Sequence, residues 1–184
     1  MDFKIARKNM VENQIRANKV TSLNVINAFL DVPREKFVPD ALQEISYVDE
    51  DIKLSRNRFM MKPMILARLF QSLNLQGNEN ILHVGSNTGY GSAILSRMCS
   101  LVISIESDKK LFEKSIHTFS NLGFDNVIPL HGSMENGVEK EAPFDIIFIE
   151  GSIETEPKSL FSQLNENGKL IVIIRPANIK IGKA

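Results

Sequence analysis

The sequence predicts an α/β fold, a doubly wound and mostly parallel sheet preceded by a helical segment. Three observations carry this. From Asn80 onward, short β-rich runs alternate with runs of helical periodicity, the pattern of parallel strands joined by helical crossovers. Stretches such as Ile146 to Ile149 and Leu170 to Ile174 are apolar without a break, which suits strands buried on both faces. The first of the strands also runs into a glycine-spaced turn, "ILHVGSNTGYG" from Ile81 to Gly91, where a ligand can approach bare backbone.

Residues 1–62 read as an N-terminal helical and irregular segment that can act as a lid, and residues 63–184 as the sheet domain, in one compact unit. In "IARKNMVENQIRAN", Met10, Val11, Gln14 and Ile15 fall at helical spacing. "SLNVINAFLDVPREKFVP" supplies a second helix stopped by Pro33, and Pro63 suits the first turn of a helix over "PMILARLFQSLN". The alternation then runs "NILHV", "GYGSAILSRM", "LVISI", "DKKLFEKSIHTFSNLG", "NVIPL", "FDIIFIE", "PKSLFSQL" and "KLIVII", with Gly123 as a helix C-cap. On such sheets, ligands sit beyond the carboxyl ends of the strands, near a topological switch point.

Bulk properties narrow the class. Lys+Arg and Asp+Glu are both 22, so no net field draws the chain to nucleic acid or anionic lipid. No apolar run reaches the roughly 20 residues of a membrane span. The start, "MDFKIARKNM", lacks the apolar stretch of a secretion signal. The single cysteine, Cys99, excludes an internal disulfide and a cysteine-cluster metal site, and no metal is expected. A reduced, cytoplasmic protein is the expectation.

The turn after the first strand reads Gly85-Ser86-Asn87-Thr88-Gly89-Tyr90-Gly91. Asn87 stands where a dinucleotide fingerprint has its second glycine, and no Gly-Lys-Ser/Thr follows, so NAD, FAD and P-loop chemistry are demoted. Glu106 ends the next strand, 21 positions beyond Gly85. An acid about 20 residues past such a loop accepts hydrogen bonds from ribose hydroxyls. A nucleoside without a pyrophosphate fits the pair, and S-adenosyl-L-methionine is the obvious candidate.

With these residues in place, nearly the whole chain resembles the protein-L-isoaspartate O-methyltransferase family, whose members use S-adenosyl-L-methionine to methylate damaged aspartyl sites in proteins. The resemblance rests on Gln14-Ile15, "VPREKFVP" from Val32 to Pro39, "SYVD" from Ser46 to Asp49 and the glycine loop. "NVIPLHGSMENG", "APFDIIFIEG" and "EPKSLFSQLNENGKLIV" follow in the family's order. It implies a Rossmann-like methyltransferase fold and a damaged protein or peptide as partner. It also implies a cofactor site of His83, Gly85, Ser86, Asn87, Gly89, Glu106, Ser107, Ser133 and Met134.

Departures fall at the chemistry. Where the family has a "GQTIS.P" stretch whose hydroxyls meet the substrate carboxylate, this sequence has "NRFMMKP", with Phe59 and Met61 at the hydroxyl positions. Neither side chain donates a hydrogen bond. Phe59, Met61 and Glu150 are therefore the acceptor-site positions, and a Phe59–Met61 wall favours an apolar acceptor. The acid that usually ends the first strand is His83, while Glu150 stands where the family has a small or hydroxyl residue. These two strands are neighbours in the family, so Glu150 is expected to pair with His83 or to face the cofactor ammonium. Ser133 replaces the family's adenine-side Asp, which implies weaker cofactor binding. Arg56 and Arg58 read as a solvated loop, with attraction of an acidic substrate as the alternative. After "KLIVIIRP" the family continues into further strands, whereas "ANIKIGKA" follows here. The edge is thus exposed, covered differently, or covered by a second subunit, and the last makes a homodimer. Isoaspartyl methyl transfer is the leading reading; a different acceptor on the same fold, and an inactive cofactor- or partner-binding relic, are the alternatives.

Overall fold

The computed structural model describes residues 1–176, so the "ANIKIGKA" reading lies outside the described residues. The chain starts with α1 (Phe3–Met10), whose first turn is capped by the Asp2 carboxylate accepting from the Lys4 and Ile5 amides. The helix tightens and loosens through a π turn at Val11–Ile15 and a 3₁₀ turn at Arg16–Asn18. Helix α2 (Leu23–Asp31) ends before Val32-Pro33, where the residue preceding proline leaves the helical region. Then comes a feature absent from the sequence reading, a short antiparallel hairpin of β1 (Ile52–Ser55) and β2 (Arg58–Met60). Pro63 opens α3 (Pro63–Leu73) at its first turn as expected.

The remainder alternates: β3 (Asn80–Val84), α4 (Tyr90–Ser96), β4 (Leu101–Glu106), α5 (Lys109–Leu122), β5 (Val127–His131), β6 (Phe144–Ile153), α6 (Lys158–Phe161) and β7 (Leu164–Ile174). Five of these strands form one sheet in the order β5-β4-β3-β6-β7, every pairing parallel. The order reverses at β3, where the next strand in the chain lies on one side and β6 on the other. That is the switch point, and the glycine turn emerges from it. Gly123 caps α5 in the left-handed region at φ 68°. Two elements differ in length from the expectation. Strand β6 continues to Ile153 through a register shift against β7, and α6 is a single turn.

Two apolar cores flank the sheet. On one face Leu82, Val84, Ile103, Ile147 and Ile149 pack with Phe144 and Leu160. On the other, Ile81, Tyr90, Ile94, Val102 and Phe148 share one continuous core with Met10, Ile15, Ile26, Phe29, Phe37, Met60 and Met61. The leading 62 residues thus pack as a further layer on α3 and α4 and share the core of that face. A buried guanidinium ties this layer down. Arg34 donates to the Ser46 carbonyl at 2.6 Å and the Met61 carbonyl at 3.0 Å, and lies 4.8 Å over the Tyr90 ring. Burial pulls its pKa down from the ordinary value, opposed by Tyr90 and the Glu150 charge.

Candidate cofactor and acceptor site

The glycine turn is held from both sides. The Gly85 amide donates to the Ile105 carbonyl at 2.9 Å, the Asn87 amide to Glu106 Oε2 at 2.9 Å, and the Thr88 hydroxyl to the Phe37 carbonyl at 2.5 Å. Ser86 and Asn87 are buried. Gly85 sits at φ 75°, and a Cβ there would stand 3.2 Å from the Glu150 carbonyl oxygen and 3.6 Å from Met134 Sδ. Gly89 caps α4 at φ 94°, and a side chain on it would drive into the Phe119 ring. Each position needs glycine because backbone or ring already occupies the space of a Cβ.

Beyond the carboxyl ends of β3 and β6 opens a cleft of about 1070 Å³. Gly85, Glu150, Met134 and Arg58 form one part of its wall, and Ser152 to Leu160 form much of the rest. Its size is that of a site for a small organic ligand.

Glu106 ends β4 beside the turn and is 1% exposed. Its carboxylate is heavily subscribed. Oε1 accepts from the Ser107 amide at 2.8 Å, the Asp108 amide at 2.9 Å, and both Nε and Nη2 of Arg58 at 3.1 Å, while Oε2 takes the Asn87 amide. The Arg58 Nη2 also reaches Ser107 Oγ at 3.1 Å and Met134 Sδ at 2.8 Å. The expectation of a solvated loop is therefore corrected for Arg58: β2 aims it inward, onto the acid expected to receive ribose. Ser133 is exposed in the turn after β5, next to the half-buried Met134.

The second carboxylate lies across β3. His83 Nε2 and Glu150 Oε2 stand 3.1 Å apart with both side chains buried. The contact is an ion pair by distance, but neither atom finds hydrogen-bond geometry. His83 Nδ1 meets Ser92 Oγ at 2.7 Å, and the ring leans on Phe148 at 5.2 Å between centroids. A carboxylate only accepts, so a proton on Nε2 faces Glu150 and leaves Nδ1 to accept from the Ser92 hydroxyl. Gly91, in the first turn of α4, makes room. A Cβ there would collide with Glu150 Oε2 and approach His83 Cε1 to 2.8 Å.

Phe59 and Met61 occupy other places than expected. Phe59 is 48% exposed and Met61 is buried in the core shared with the N-terminal layer, and neither side chain lines the cleft. The expected apolar acceptor wall is corrected accordingly. Alternation along β2 turns Phe59 outward and Met60 inward, and the chain then passes under Arg34, which takes the Met61 carbonyl. The Phe59 carbonyl does reach the site, accepting from the Asn87 side chain at 3.3 Å.

Sequence reasoning missed Arg58 as the partner of Glu106, Ser92 and Gly91 around the His83–Glu150 pair, and Arg34. Gly91 left a trace as the last glycine of the turn, and Arg58 as half of the basic pair Arg56 and Arg58. Among the described residues, no group of three or more His, Cys, Asp or Glu is placed to hold a metal ion.

The fold recurs in known proteins. A family model described as protein-L-isoaspartate(D-aspartate) O-methyltransferase matches residues 5–181. A protein-L-isoaspartate O-methyltransferase 2 of Anaeromyxobacter sp. is 34% identical over 165 residues, 90% of this chain and 68% of that one. A protein-L-isoaspartate O-methyltransferase 1 of Syntrophobacter fumaroxidans is 35% identical, covering 94% of this chain and 80% of its own. A solved protein-L-isoaspartate O-methyltransferase superposes with TM-score 0.80 at 28% identity over 91% of this chain, which spans 55% of that structure's length. A β-aspartate methyltransferase structure from Plasmodium falciparum, in complex with S-adenosyl-L-homocysteine, gives TM-score 0.79 at 25% identity, covering 97% of this chain and 86% of that one. The chain belongs to the protein-L-isoaspartate(D-aspartate) O-methyltransferase family.

Proposed function

We propose that the protein transfers a methyl group from S-adenosyl-L-methionine to the carboxylate of isoaspartyl residues in damaged proteins. The observation that carries this reading is the glycine turn at the switch point, whose Gly85 borders an open cleft, with Glu106 fixed beside the turn and behind Arg58, which lines the same cleft. The residues fit the cofactor. Gly85 offers backbone without a Cβ and Glu106 is an acceptor for ribose hydroxyls. Ser86, Asn87 and Gly89 follow Gly85 in the turn, Ser107 follows Glu106, and Ser133 and Met134 follow β5, Met134 lining the cleft. Glu150 lines the cleft with one carboxylate oxygen out of hydrogen-bond alignment with His83. We assign to it the cofactor ammonium, the role the family gives to the acid that His83 replaces.

The cofactor supplies an electrophilic methyl on a sulfonium. The chain supplies placement. An acceptor carboxylate is ionised at neutral pH, so no residue needs to remove a proton from it. What the protein contributes is alignment of the acceptor and exclusion of water by the cleft walls. The apolar-acceptor alternative loses its support, because Phe59 and Met61 lie outside the cleft wall.

In this reading the partner is a damaged protein or peptide rather than nucleic acid or membrane, and the compartment is the cytoplasm. No helix among the described residues is long and apolar enough to cross a membrane. A homodimer belongs to the same reading, and sedimentation at micromolar concentration checks it. The test of function has two parts: calorimetric binding of S-adenosyl-L-homocysteine, and methyl incorporation into an isoaspartyl peptide against its normal aspartyl counterpart. Binding with methylation of the isoaspartyl peptide alone is the expected result. Failure to bind, or binding without methylation, overturns it.

A further inference from the structure

Resting on the isoaspartyl reading, we propose that Arg58 is the receptor for the acceptor carboxylate, held on Glu106 until the ribose of the cofactor displaces it. Arg58 is out of place as a purely structural partner. Glu106 already receives three backbone amides, from Asn87, Ser107 and Asp108, before the guanidinium is counted. Both Arg58 donors crowd onto Oε1, the oxygen that takes two of those amides. Losing Arg58 therefore leaves the buried carboxylate hydrogen-bonded, and a ribose hydroxyl donating to the same oxygen replaces what the guanidinium gave. Arg58 keeps 23% of its side chain exposed, against 1% for Glu106, so the arginine is the partner free to move.

The cleft then needs a cation, and little else in it provides one. Its lining carries four carboxylates, Glu135, Glu150, Glu154 and Glu156, against Arg58 and Lys158. An incoming carboxylate is repelled by this lining unless a positive group meets it. Lys158 is exposed, on the one-turn helix α6. Arg58 lines the same cleft as Gly85 and Glu150, and its planar fork matches a carboxylate with two parallel hydrogen bonds. The donors that Phe59 and Met61 cannot supply thus come from the residue just before them. Binding becomes ordered: the cofactor enters first, and only then is the acceptor's partner available.

The experiment compares wild type with Arg58→Gln and Arg58→Lys. For Arg58→Gln the dissociation constant of S-adenosyl-L-homocysteine, by calorimetry, stays within about threefold of wild type or tightens. The KM for an isoaspartyl peptide rises tenfold or more, and kcat changes by less than about threefold. Arg58→Lys, which keeps the charge but not the fork, gives an intermediate KM. An isoasparaginyl peptide, which lacks the charge, inhibits wild type and Arg58→Gln equally. A KM within threefold of wild type overturns the proposal. So does a loss of S-adenosyl-L-homocysteine affinity as large as the rise in KM, since Arg58 would then serve to hold Glu106 in place. Failure of wild type to methylate the peptide would instead overturn the isoaspartyl reading, so the two failures are distinguishable.

Discussion

The two buried carboxylates of the site, Glu106 at the end of β4 and Glu150 at the end of the core stretch of β6, are satisfied to opposite degrees. Glu106 has three backbone amides and a guanidinium on two oxygens. Glu150 has His83 at 3.1 Å, out of hydrogen-bond alignment, and the more distant Arg34 charge. A buried charge without full hydrogen bonding is costly. The difference separates two ways of preparing for a ligand. In the proposed reading, an internal competitor leaves Glu106 when hydroxyls arrive, whereas at Glu150 an arriving cation completes an interaction the protein leaves short.

Replacing the carboxylates tests that contrast most strongly. Glu106→Ala strands the Arg58 guanidinium and three amides together. Unfolding by chemical denaturant should show a loss of about 3 kcal/mol, the scale of breaking one side of a buried pair. Affinity for S-adenosyl-L-homocysteine should fall by about a hundredfold, two lost hydrogen bonds at the strength of those made to charged groups. Glu150→Ala should cost less stability, because His83 keeps its contact with Ser92 and Glu150 Oε2 makes no aligned hydrogen bond to lose. Calorimetry should still show about a tenfold weaker cofactor complex, and an unchanged constant would remove Glu150 from the ammonium. Gly91→Ala acts on the same pair from the helix side. The added methyl pushes on Glu150 and His83, an overpacking cost of about 1–3 kcal/mol read by thermal unfolding.

Met61→Ser sharpens the acceptor side. With Met61 in the shared core, a hydroxyl there loses packing without reaching the cleft. Stability should drop by about 2 kcal/mol with no gain in isoaspartyl turnover. The smallest effect lies far from the site. Burial pushes the Cys99 thiol up to about 12, so below that pH it stays protonated. Folded protein at pH 8 should resist iodoacetamide, while unfolded protein labels at the ordinary rate.

The sheet was legible because its strands are apolar runs bounded by turns, and continuous burial leaves that mark on sequence. The His83–Glu150 contact was legible for a different reason: neighbouring parallel strands bring their ends together, so two unusual residues at those ends must meet. The β1–β2 hairpin had no such mark. "IKLS" and "RFM" are too short and too polar for a period to show. Without the hairpin, nothing in the order of residues brings Arg58 to Glu106, 48 positions away. The direction of Phe59 and Met61 failed with it, since which side of a strand faces the ligand depends on where the strand lies.

Helices α1 and α2, with the turns between and after them, share one core with α3 and α4, and Phe29 packs on the rings of Phe70 and Tyr90. They cannot be traded as an interchangeable accessory. A fragment beginning at Pro63, or a fusion that swaps in a relative's leading helices, would bare the Phe70 and Tyr90 rings and remove Arg34 from the Tyr90 ring. Grafts aimed at new acceptors therefore have to be made at the outward positions of the hairpin, such as Phe59, and in the exposed residues after β6, where side chains can change without reopening the interior.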